Sequence, residues 1–280
     1  MKLNPTFDGP VAGVPGAFVR EVATLPGHLP DSVEIGPHTR AAPDALLFGV
    51  PDIARFLIRN GKTIEVAVEA GADRAAAQLL LHGSARGTLI HQRGELPLNA
   101  AAMVGPDGMI VAICGSSAVG KSTLAAALSR RGWRVLADGL LRVSWNGSAA
   151  IAWPSDTCVQ LWRDACESAG FDLAELRRSR DGMDRYRVPL PSSAVSAPLN
   201  IVVGLRLSAA MGISELPASG RAAFLSECTF RRRQIDALGQ RAPHDRILSQ
   251  IARCCRAMIL DGARECPIDE LAERLCEAVR

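Results

Sequence analysis

The sequence predicts an α/β protein, and three features support this fold class. The apolar run at residues 109–114 has the length of a buried strand and leads directly into a glycine-rich loop. Residues 122–131, which follow the loop, are rich in Ala and Leu and favour a helix. The apolar runs at 200–207 and 256–260 are typical of further buried strands. Strands and helices thus follow one another along the chain, as in an α/β domain.

The length of the chain allows more than one domain. Its 280 residues are enough for two buried cores. The character of the sequence changes just before the glycine-rich loop, from proline-rich and irregular to strongly apolar. We therefore predict a small N-terminal α+β module over residues 1–94 and a larger α/β domain over residues 95–280.

The N-terminal module is predicted to contain little regular structure at first. Prolines and glycines are frequent in the first 50 residues and interrupt hydrogen-bond ladders, so we expect a loop-rich entry with short strands at most. Asn60 and Gly61 then stand between two apolar runs, which predicts a hairpin because both residues tolerate positive φ. A helix is predicted next, over residues 74–83.

The elements of the larger domain follow from its turn residues and its periodicity. Gly132 is predicted to end the helix that follows the loop. A hairpin is predicted next, with Asn146 and Gly147 at its turn. Further helices are predicted at 156–169, 219–229 and 268–279. Residues 172–180 are predicted to start another helix.

Composition excludes several classes of function. Hydrophobic residues make up 48% and charged residues 22% of the chain, as in a folded globular protein. The formal net charge of +3 is too small to indicate a nucleic-acid partner. The eight cysteines form no CxxC pair and predict reduced thiols. No apolar run reaches the roughly 20 residues of a membrane span and the first residues do not resemble a signal peptide, so we expect a cytoplasmic protein with no membrane partner.

The glycine-rich loop has the pattern Gly-x-x-x-x-Gly-Lys-Ser of a Walker A phosphate-binding loop, between a predicted strand and a predicted helix. In such a loop the backbone N–H groups face phosphate oxygens, Lys121 reaches the β and γ phosphates, and the Ser122 hydroxyl holds Mg²⁺. The sequence therefore predicts ATP and Mg²⁺ as cofactors. The predicted nucleotide-binding residues are Gly115, Ser116, Ser117, Ala118, Val119, Gly120, Lys121, Ser122 and Thr123.

A phosphate-binding loop also needs a carboxylate near the metal. Asp138 and Asp261 each end an apolar run, and either is a candidate. Asp138 follows Lys121 by one helix and one turn, so its strand can lie beside the strand of the loop, and we favour Asp138. A glycine follows each aspartate, so a role as a turn residue stays open for both.

The sequence around the loop resembles a known family. Residues 95–143, ELPLNAAAMVGPDGMIVAICGSSAVGKSTLAAALSRRGWRVLADGLLRV, are similar to the core of the HPr kinase/phosphorylase family and its shorter relatives, which include kinases associated with lasso peptide biosynthesis. LWRDACESAG at 161–170 and GMDRYRVPL at 182–190 resemble the Leu-Trp segment and the Lys- or Arg-bearing segment of that family. The resemblance covers about residues 88–280. It implies a P-loop domain of the HPr kinase type, preceded by the smaller α+β module.

The resemblance also implies a set of catalytic residues. It places Asp138, Asn99 and Arg185 around the transferred phosphate together with Lys121, and it makes Ser122 and Asp138 the metal ligands. For Arg187, a contact to the phosphate and a position on a solvated strand edge are equally compatible with the sequence. The triplet Arg231, Arg232 and Arg233 could hold a phosphate or an acidic tail, but we expect a solvated surface there.

The chain departs from the family at two positions. Asn99 stands where the family has His, and Gly139 stands where the family has a second Asp. Asn99 can orient a phosphate or a water but cannot exchange a proton near neutral pH. Asp138 is therefore left as the base, as the metal ligand, or as both.

The leading functional hypothesis is an ATP-dependent serine kinase. Its acceptor would be a peptide or a small protein, and the resemblance suggests a lasso precursor peptide. Two alternatives stay open: a P-loop kinase of a small molecule, and a regulator that binds nucleotide without catalysis. A homo-oligomer also stays open. Trp153 and Trp162 are expected to be packing residues.

Overall fold

The computed structural model describes residues 7–155, 158–180, 182–263 and 266–280 and shows a mixed α/β protein with several sheets. These residues form two compact units. The first unit contains the chain up to Pro97 together with Ser179, Arg180, Gly182 and Phe230–Ile247; the second contains Leu98–Arg178, Met183–Thr229 and Leu248–Arg280. The predicted domain boundary between residues 94 and 95 stays a prediction.

The first unit is built on one sheet of short strands. These are β1 (Gly9–Pro10), β2 (Phe18–Glu21), β3 (Val33–Gly36), β4 (Thr39–Ala42), β5 (Ala45–Val50), β6 (Ala54–Arg59) and β7 (Thr63–Val68). Their order in space is β1-β2-β7-β6-β5-β4-β3. Neighbours are antiparallel except β2 and β7, which run parallel. The short strands expected in the first 50 residues are thus confirmed.

The predicted hairpin and helix of this unit are both present. β6 and β7 pair on either side of Asn60 and Gly61, whose φ angles are 54° and 61°. The helix is longer than predicted, because α1 (Arg74–Leu80) continues through a π-helical turn (Leu81–Ala85) into α2 (Arg86–Gln92).

Two histidines are buried in the first unit. His91 Nε2 lies 2.8 Å from the carbonyl oxygen of Phe230, and the ring centroids of His91 and His244 lie 6.2 Å apart. Burial lowers the pKa of His91 from 6.5 to about 4 and also lowers the pKa of His244. Both rings are therefore neutral at pH 7 in the folded protein.

Acidification is expected to destabilise the protein through His91. His91 binds a proton near pH 6.5 in the unfolded chain but only near pH 4 in the folded one, so stability is lost as the pH falls from 6.5 towards 4. Between pH 6.5 and pH 5 the loss is about 2 kcal/mol. Urea unfolding at the two pH values should show a smaller loss in His91→Gln than in the wild type. The exposed-site control His28→Gln should keep the wild-type loss, and an unchanged loss in His91→Gln would contradict the assignment.

The strands from residue 96 onward belong to two further sheets. They are β8 (Leu96–Leu98), β9 (Ala100–Val104), β10 (Ile110–Cys114), β11 (Arg134–Ala137), β12 (Leu141–Trp145), β13 (Ala150–Trp153), β14 (Cys158–Trp162), β15 (Arg177–Arg178), β16 (Arg185–Pro189), β17 (Ala197–Ser208), β18 (Gly212–Glu215) and β19 (Arg256–Ala263). The larger sheet of the second unit runs β11-β9-β10-β17-β13-β12, and β19 lies beside β17 with β18 next to it. The predicted strands at 109–114, 200–207 and 256–260 and the hairpin β12–β13 are confirmed.

β10 lies in the middle of this sheet. It pairs antiparallel with β9 and parallel with β17, whose Gly204 is opposite Cys114, the last residue of β10. β17 continues beyond this point to Ser208, so it flanks the loop that leaves β10. The buried core beneath is formed by β10 and the helices α3 (Lys121–Ser129) and α7 (Ile268–Ala278), with Val111, Ile113, Leu124, Leu128 and Leu275 among its residues.

The other helices are α4 (Arg163–Ser168), α5 (Ala218–Cys228) and α6 (Arg241–Cys254). The helices predicted at 122–131, 219–229 and 268–279 are confirmed as α3, α5 and α7. No element was predicted where α6 and a short 3₁₀ turn (Arg232–Gln234) lie. None of the helices in the described part of the chain is long and apolar enough to cross a membrane.

Of two predicted helices, the one at 156–169 is present only in its second half and the one at 172–180 is absent. Residues 158–162 form β14, and the helix begins only at Arg163; residues 156 and 157 lie outside the described residues. Residues 172–180 form turns and β15, because the Asp172 carboxylate accepts a hydrogen bond from Ala174 N and closes a turn. β14, β16 and β15 form a small antiparallel sheet in that order. Val159 and Leu161 of β14 are buried in the core, so tertiary packing decides their conformation.

Candidate active site

The loop between β10 and α3 requires glycine at its first residue. Gly115 has a φ of 153°, and a Cβ there would lie 2.7 Å from the carbonyl oxygen of Leu205 and 2.9 Å from Cγ1 of Val119. Gly120, at the start of α3, has a φ of 105°. The loop is thus packed directly against β17, while Ser116, Ser117 and Ala118 at its tip are exposed.

Lys121 is folded over this loop. Its side chain is largely buried, and Nζ donates hydrogen bonds to the carbonyl oxygens of Gly115, at 3.0 Å, and Ser116, at 2.8 Å. Burial lowers the pKa of Lys121, and the nearby Asp138 carboxylate opposes that shift. The ammonium group is therefore held against the first two residues of the loop.

Ser122 and Asp138 are in direct contact. Ser122 Oγ donates a hydrogen bond to Asp138 Oδ1 at 2.8 Å, and Gln160 N donates to Asp138 Oδ2 at 2.9 Å. Both carboxylate oxygens thus have a fixed direction. Neighbouring oxygen ligands of an octahedral Mg²⁺ lie about 3 Å apart, so the Ser122 and Asp138 oxygens have the spacing of such a pair.

The structure contains no larger metal-binding cluster among the residues it describes. Within the described ranges, no three or more His, Cys, Asp or Glu side chains lie close enough together to hold an ion. A single carboxylate with a hydroxyl fits Mg²⁺, because that ion commonly takes few protein ligands and completes its shell with phosphates and water. The donor set therefore suits Mg²⁺ held jointly with a nucleotide.

Asn99, between β8 and β9, lies at the other side of the loop. Its Nδ2 is 3.4 Å from the carbonyl oxygen of Gly115, and its backbone N–H donates to the carbonyl of Cys228 at 2.9 Å. The same Gly115 oxygen accepts from Lys121. The amide of Asn99 thus reaches the first residue of the loop.

Arg185, on β16, reaches the same region through Gln160. Its Nη2 lies 3.4 Å from the carbonyl oxygen of Gln160, the residue whose N–H holds Asp138. Burial and, to a smaller extent, the positive charge of Arg185 lower the pKa of Lys121. Among the described residues, the buried Nε of Arg185 has no hydrogen-bond partner. A buried donor without a partner favours an anion at this position.

The second carboxylate candidate lies elsewhere. Asp261 stands inside β19 between Arg206 of β17 and Gly212 of β18, and β19 continues to Ala263. β17 separates it from β10. Asp138, by contrast, directly follows β11 and contacts Ser122. The geometry therefore favours Asp138 over Asp261 as the carboxylate of this site.

The arginine triplet has a different setting. Arg231 Nη2 donates to Ser84 Oγ at 2.7 Å within the first unit, and Arg232 and Arg233 lie in the 3₁₀ turn. The contact of Arg231 is a structural one, since Ser84 is buried in the same unit.

Two thiols beside the loop were not predicted as part of the site. Cys114 ends β10 and is fully buried. Hydrogen bonding with Cys228 and burial raise the pKa of the Cys114 thiol well above its usual value, so it stays neutral next to Lys121. No sequence signal marks this pair, because the partners are far apart in the chain.

Gln160 and Trp162 were also missed. The role of Gln160 rests on its backbone N–H, which every residue except proline offers, so no side-chain pattern reveals it. Trp162 was expected to be a packing residue, but 45% of its surface is exposed. The expectation was wrong because residue 162 lies at the end of β14 on the face opposite to the buried Leu161.

Substituting the first glycine of the loop is expected to displace it. In Gly115→Ala the new Cβ meets a backbone carbonyl of β17, which cannot move away as a flexible side chain would. We expect a loss of about 1–3 kcal/mol in unfolding free energy together with weakened phosphate binding. Gly147→Ala is the control, since Gly147 also has positive φ but nothing lies within 4 Å of its Cβ position. Equal stabilities of the two variants in urea would contradict the close packing of the loop.

Comparison with known proteins identifies no family for this chain. No family model matches the sequence, and no curated protein matches it. Among solved structures, the chain is similar to the HPr(Ser) kinase/phosphatase from Coxiella burnetii, with 13% identity and a TM-score of 0.33 over 66% of this chain and 95% of that one. A similarity of this extent establishes neither the fold nor an activity.

Proposed function

We propose that this protein is an ATP-dependent, Mg²⁺-requiring kinase that transfers the γ-phosphoryl group to a serine hydroxyl of a peptide or small protein. The observation that carries the proposal is the 2.8 Å hydrogen bond between Ser122 and Asp138, at the end of a loop over which the Lys121 side chain is folded. A hydroxyl and a carboxylate for the metal, with a lysine for the phosphates, are the groups that phosphoryl transfer requires.

The loop would hold the phosphates of ATP. Its backbone N–H groups and the N-terminus of α3 favour anions, because the helix dipole is positive at that end. Lys121 would exchange its two carbonyl contacts for the β and γ phosphates. The residues proposed to bind the nucleotide are those of the loop and the first turn of α3, 115–123.

Ser122 Oγ and Asp138 Oδ1 would hold Mg²⁺, as their spacing allows. When bound, Mg²⁺ supplies positive charge that neutralises the phosphates during transfer. Gln160 N–H keeps the carboxylate of Asp138 oriented towards Ser122. Asp138 is thus fixed before any ligand arrives, which lowers the cost of organising the site.

Asp138 Oδ2 would also accept the proton of the substrate. A carboxylate oxygen has two lone pairs, of which the hydrogen bond from Gln160 N–H uses one on Oδ2. As the serine oxygen forms its bond to the γ phosphorus, its proton passes to Asp138. The bond between the γ phosphorus and the bridging oxygen breaks, and ADP leaves. Arg185 and Asn99 would donate hydrogen bonds to the transferred group, which carries most of the charge.

The acceptor class rests on the resemblance of residues 95–143, 161–170 and 182–190 to HPr kinase-like proteins. This resemblance favours a serine in a peptide, and a lasso precursor peptide is the first acceptor to test. The acceptor can be assigned by measuring ADP formation with MgATP in the presence of a serine-peptide library or a panel of hydroxyl-bearing metabolites. Turnover with peptides only is expected, and turnover with metabolites only would favour a small-molecule kinase.

A second candidate function is a regulator that binds nucleotide without transferring phosphate. It is favoured by two observations: an amide, Asn99, lies beside Gly115 where the resembled family has His, and Gly139 leaves Asp138 as a single carboxylate. This candidate predicts MgATP binding with no turnover. The combined substitution Asn99→His and Gly139→Asp would then create an activity that the wild type lacks.

A further inference from the structure

One face of the small sheet β14-β16-β15 carries three arginines. Gln160 of β14 is opposite Arg187 of β16, which is opposite Arg177 of β15; Trp162 is opposite Arg185. Since side chains alternate along each strand, all five project from the same face. Opposite residues on neighbouring strands have Cβ atoms about 5 Å apart, so the charges are close together. We call these five residues the arginine face.

No carboxylate among the described residues neutralises the charges on this face. In the part of the chain that the structure describes, none of Arg177, Arg185 and Arg187 pairs with a carboxylate within 4.0 Å. Arg178, next to them but on the other face, does pair with Asp184 at 3.1 Å. Like charges opposite one another on a sheet are destabilising. An anionic ligand would remove that cost.

The arginine face also has an exposed aromatic surface. Trp162 is 45% exposed, and the guanidinium carbon of Arg185 lies 5.8 Å from the centroid of its ring. Aromatic rings and arginines are the residues that most often anchor a bound peptide. A face that combines them suits a peptide better than it suits a free inorganic ion.

The arginine face begins at the proposed reaction centre. The N–H of Gln160 donates to Asp138 Oδ2, and the carbonyl of the same residue accepts from Arg185. In an antiparallel strand, the backbone N–H and C=O groups of one residue point to the same edge of the strand. A serine at Asp138 would therefore have its neighbouring residues over Arg185, Arg187 and Arg177.

From this arrangement we infer that the arginine face binds an acidic segment of the phosphoacceptor peptide, with Asp or Glu side chains close to the acceptor serine. The inference rests on the proposed function and specifies its substrate. Guanidinium groups bind carboxylates through two parallel hydrogen bonds, which gives both affinity and orientation. Trp162 contributes a surface for the apolar part of the peptide.

The inference can be tested with two labelled serine peptides. They are identical except that one carries Glu residues around the serine and the other carries Gln. Fluorescence anisotropy without nucleotide should show at least about tenfold tighter binding of the Glu peptide to the wild type. The double variant Arg177→Glu and Arg187→Glu should lose this preference. Arg59→Glu, at an exposed site in the first unit, is the control and should keep it.

Equal binding of the two peptides to the wild type would overturn the inference, as would a preference for Glu that survives in the double variant. The proposed function has a separate readout. If the Glu peptide binds but no phosphate is transferred to it or to any serine peptide, the proposed kinase activity is contradicted. The binding of acidic peptides to the arginine face would still be supported.

Discussion

Lys121→Ala is expected to lower kcat/KM for phosphoryl transfer by about 10²-fold or more and to weaken MgATP binding as well. The ammonium group lies over the loop in the free protein and would contact the phosphates both before and during transfer. Its removal therefore affects the bound nucleotide and the transition state together. Calorimetric titration with MgATP and an initial-rate assay measure the two effects.

The control for this variant is Lys62→Ala. Lys62 is exposed in the first unit, so its removal changes the net charge by the same amount without touching the loop. Its MgATP affinity and transfer rate should equal those of the wild type. If Lys121→Ala binds MgATP as tightly as Lys62→Ala does, the nucleotide does not bind on this loop.

Asp138→Asn is expected to separate binding from chemistry. The amide oxygen can still accept from Gln160 N–H, so the loop and β14 should keep their positions. MgATP affinity should stay within about tenfold, whereas transfer should fall by about 10²-fold or more, because the amide carries no charge for the metal and takes no proton. Affinity is measured by titration and transfer by single-turnover kinetics.

Asp261→Asn provides the matched control, since the same change is made inside β19. It should transfer phosphate at the wild-type rate. If instead Asp138→Asn is as active as the wild type and Asp261→Asn is not, Asp138 is a turn residue and the metal lies at β19.

The sequence predicted the loop and its flanking elements well because their requirements are local. Gly115 must be glycine for its own backbone angle and for its contact with β17, and the residues of α3 favour a helix by themselves. The proximity of Asp138 to Ser122 followed from chain length, since one helix and one turn separate them. These features need no knowledge of the rest of the fold.

The β14 region could not be predicted in the same way. Residues 158–162 are a strand because Val159 and Leu161 are buried against the core of the second unit, which is a long-range effect. With the strand in place, Gln160 reaches Asp138 and Trp162 becomes exposed. The supporting contacts of the site therefore depend on tertiary packing, whereas the groups proposed to do the chemistry could be read from the sequence.

Transfer of the labelled γ phosphate from MgATP to serine peptides is the most direct test of the proposed kinase. The wild type, incubated with γ-labelled ATP, Mg²⁺ and a serine-peptide library that includes Glu-rich members, should place the label on serine. The labelling should need Mg²⁺ and should be lost in Asp138→Asn. A wild type that binds MgATP at the Lys121 loop but labels no peptide under any metal condition would contradict the proposed kinase.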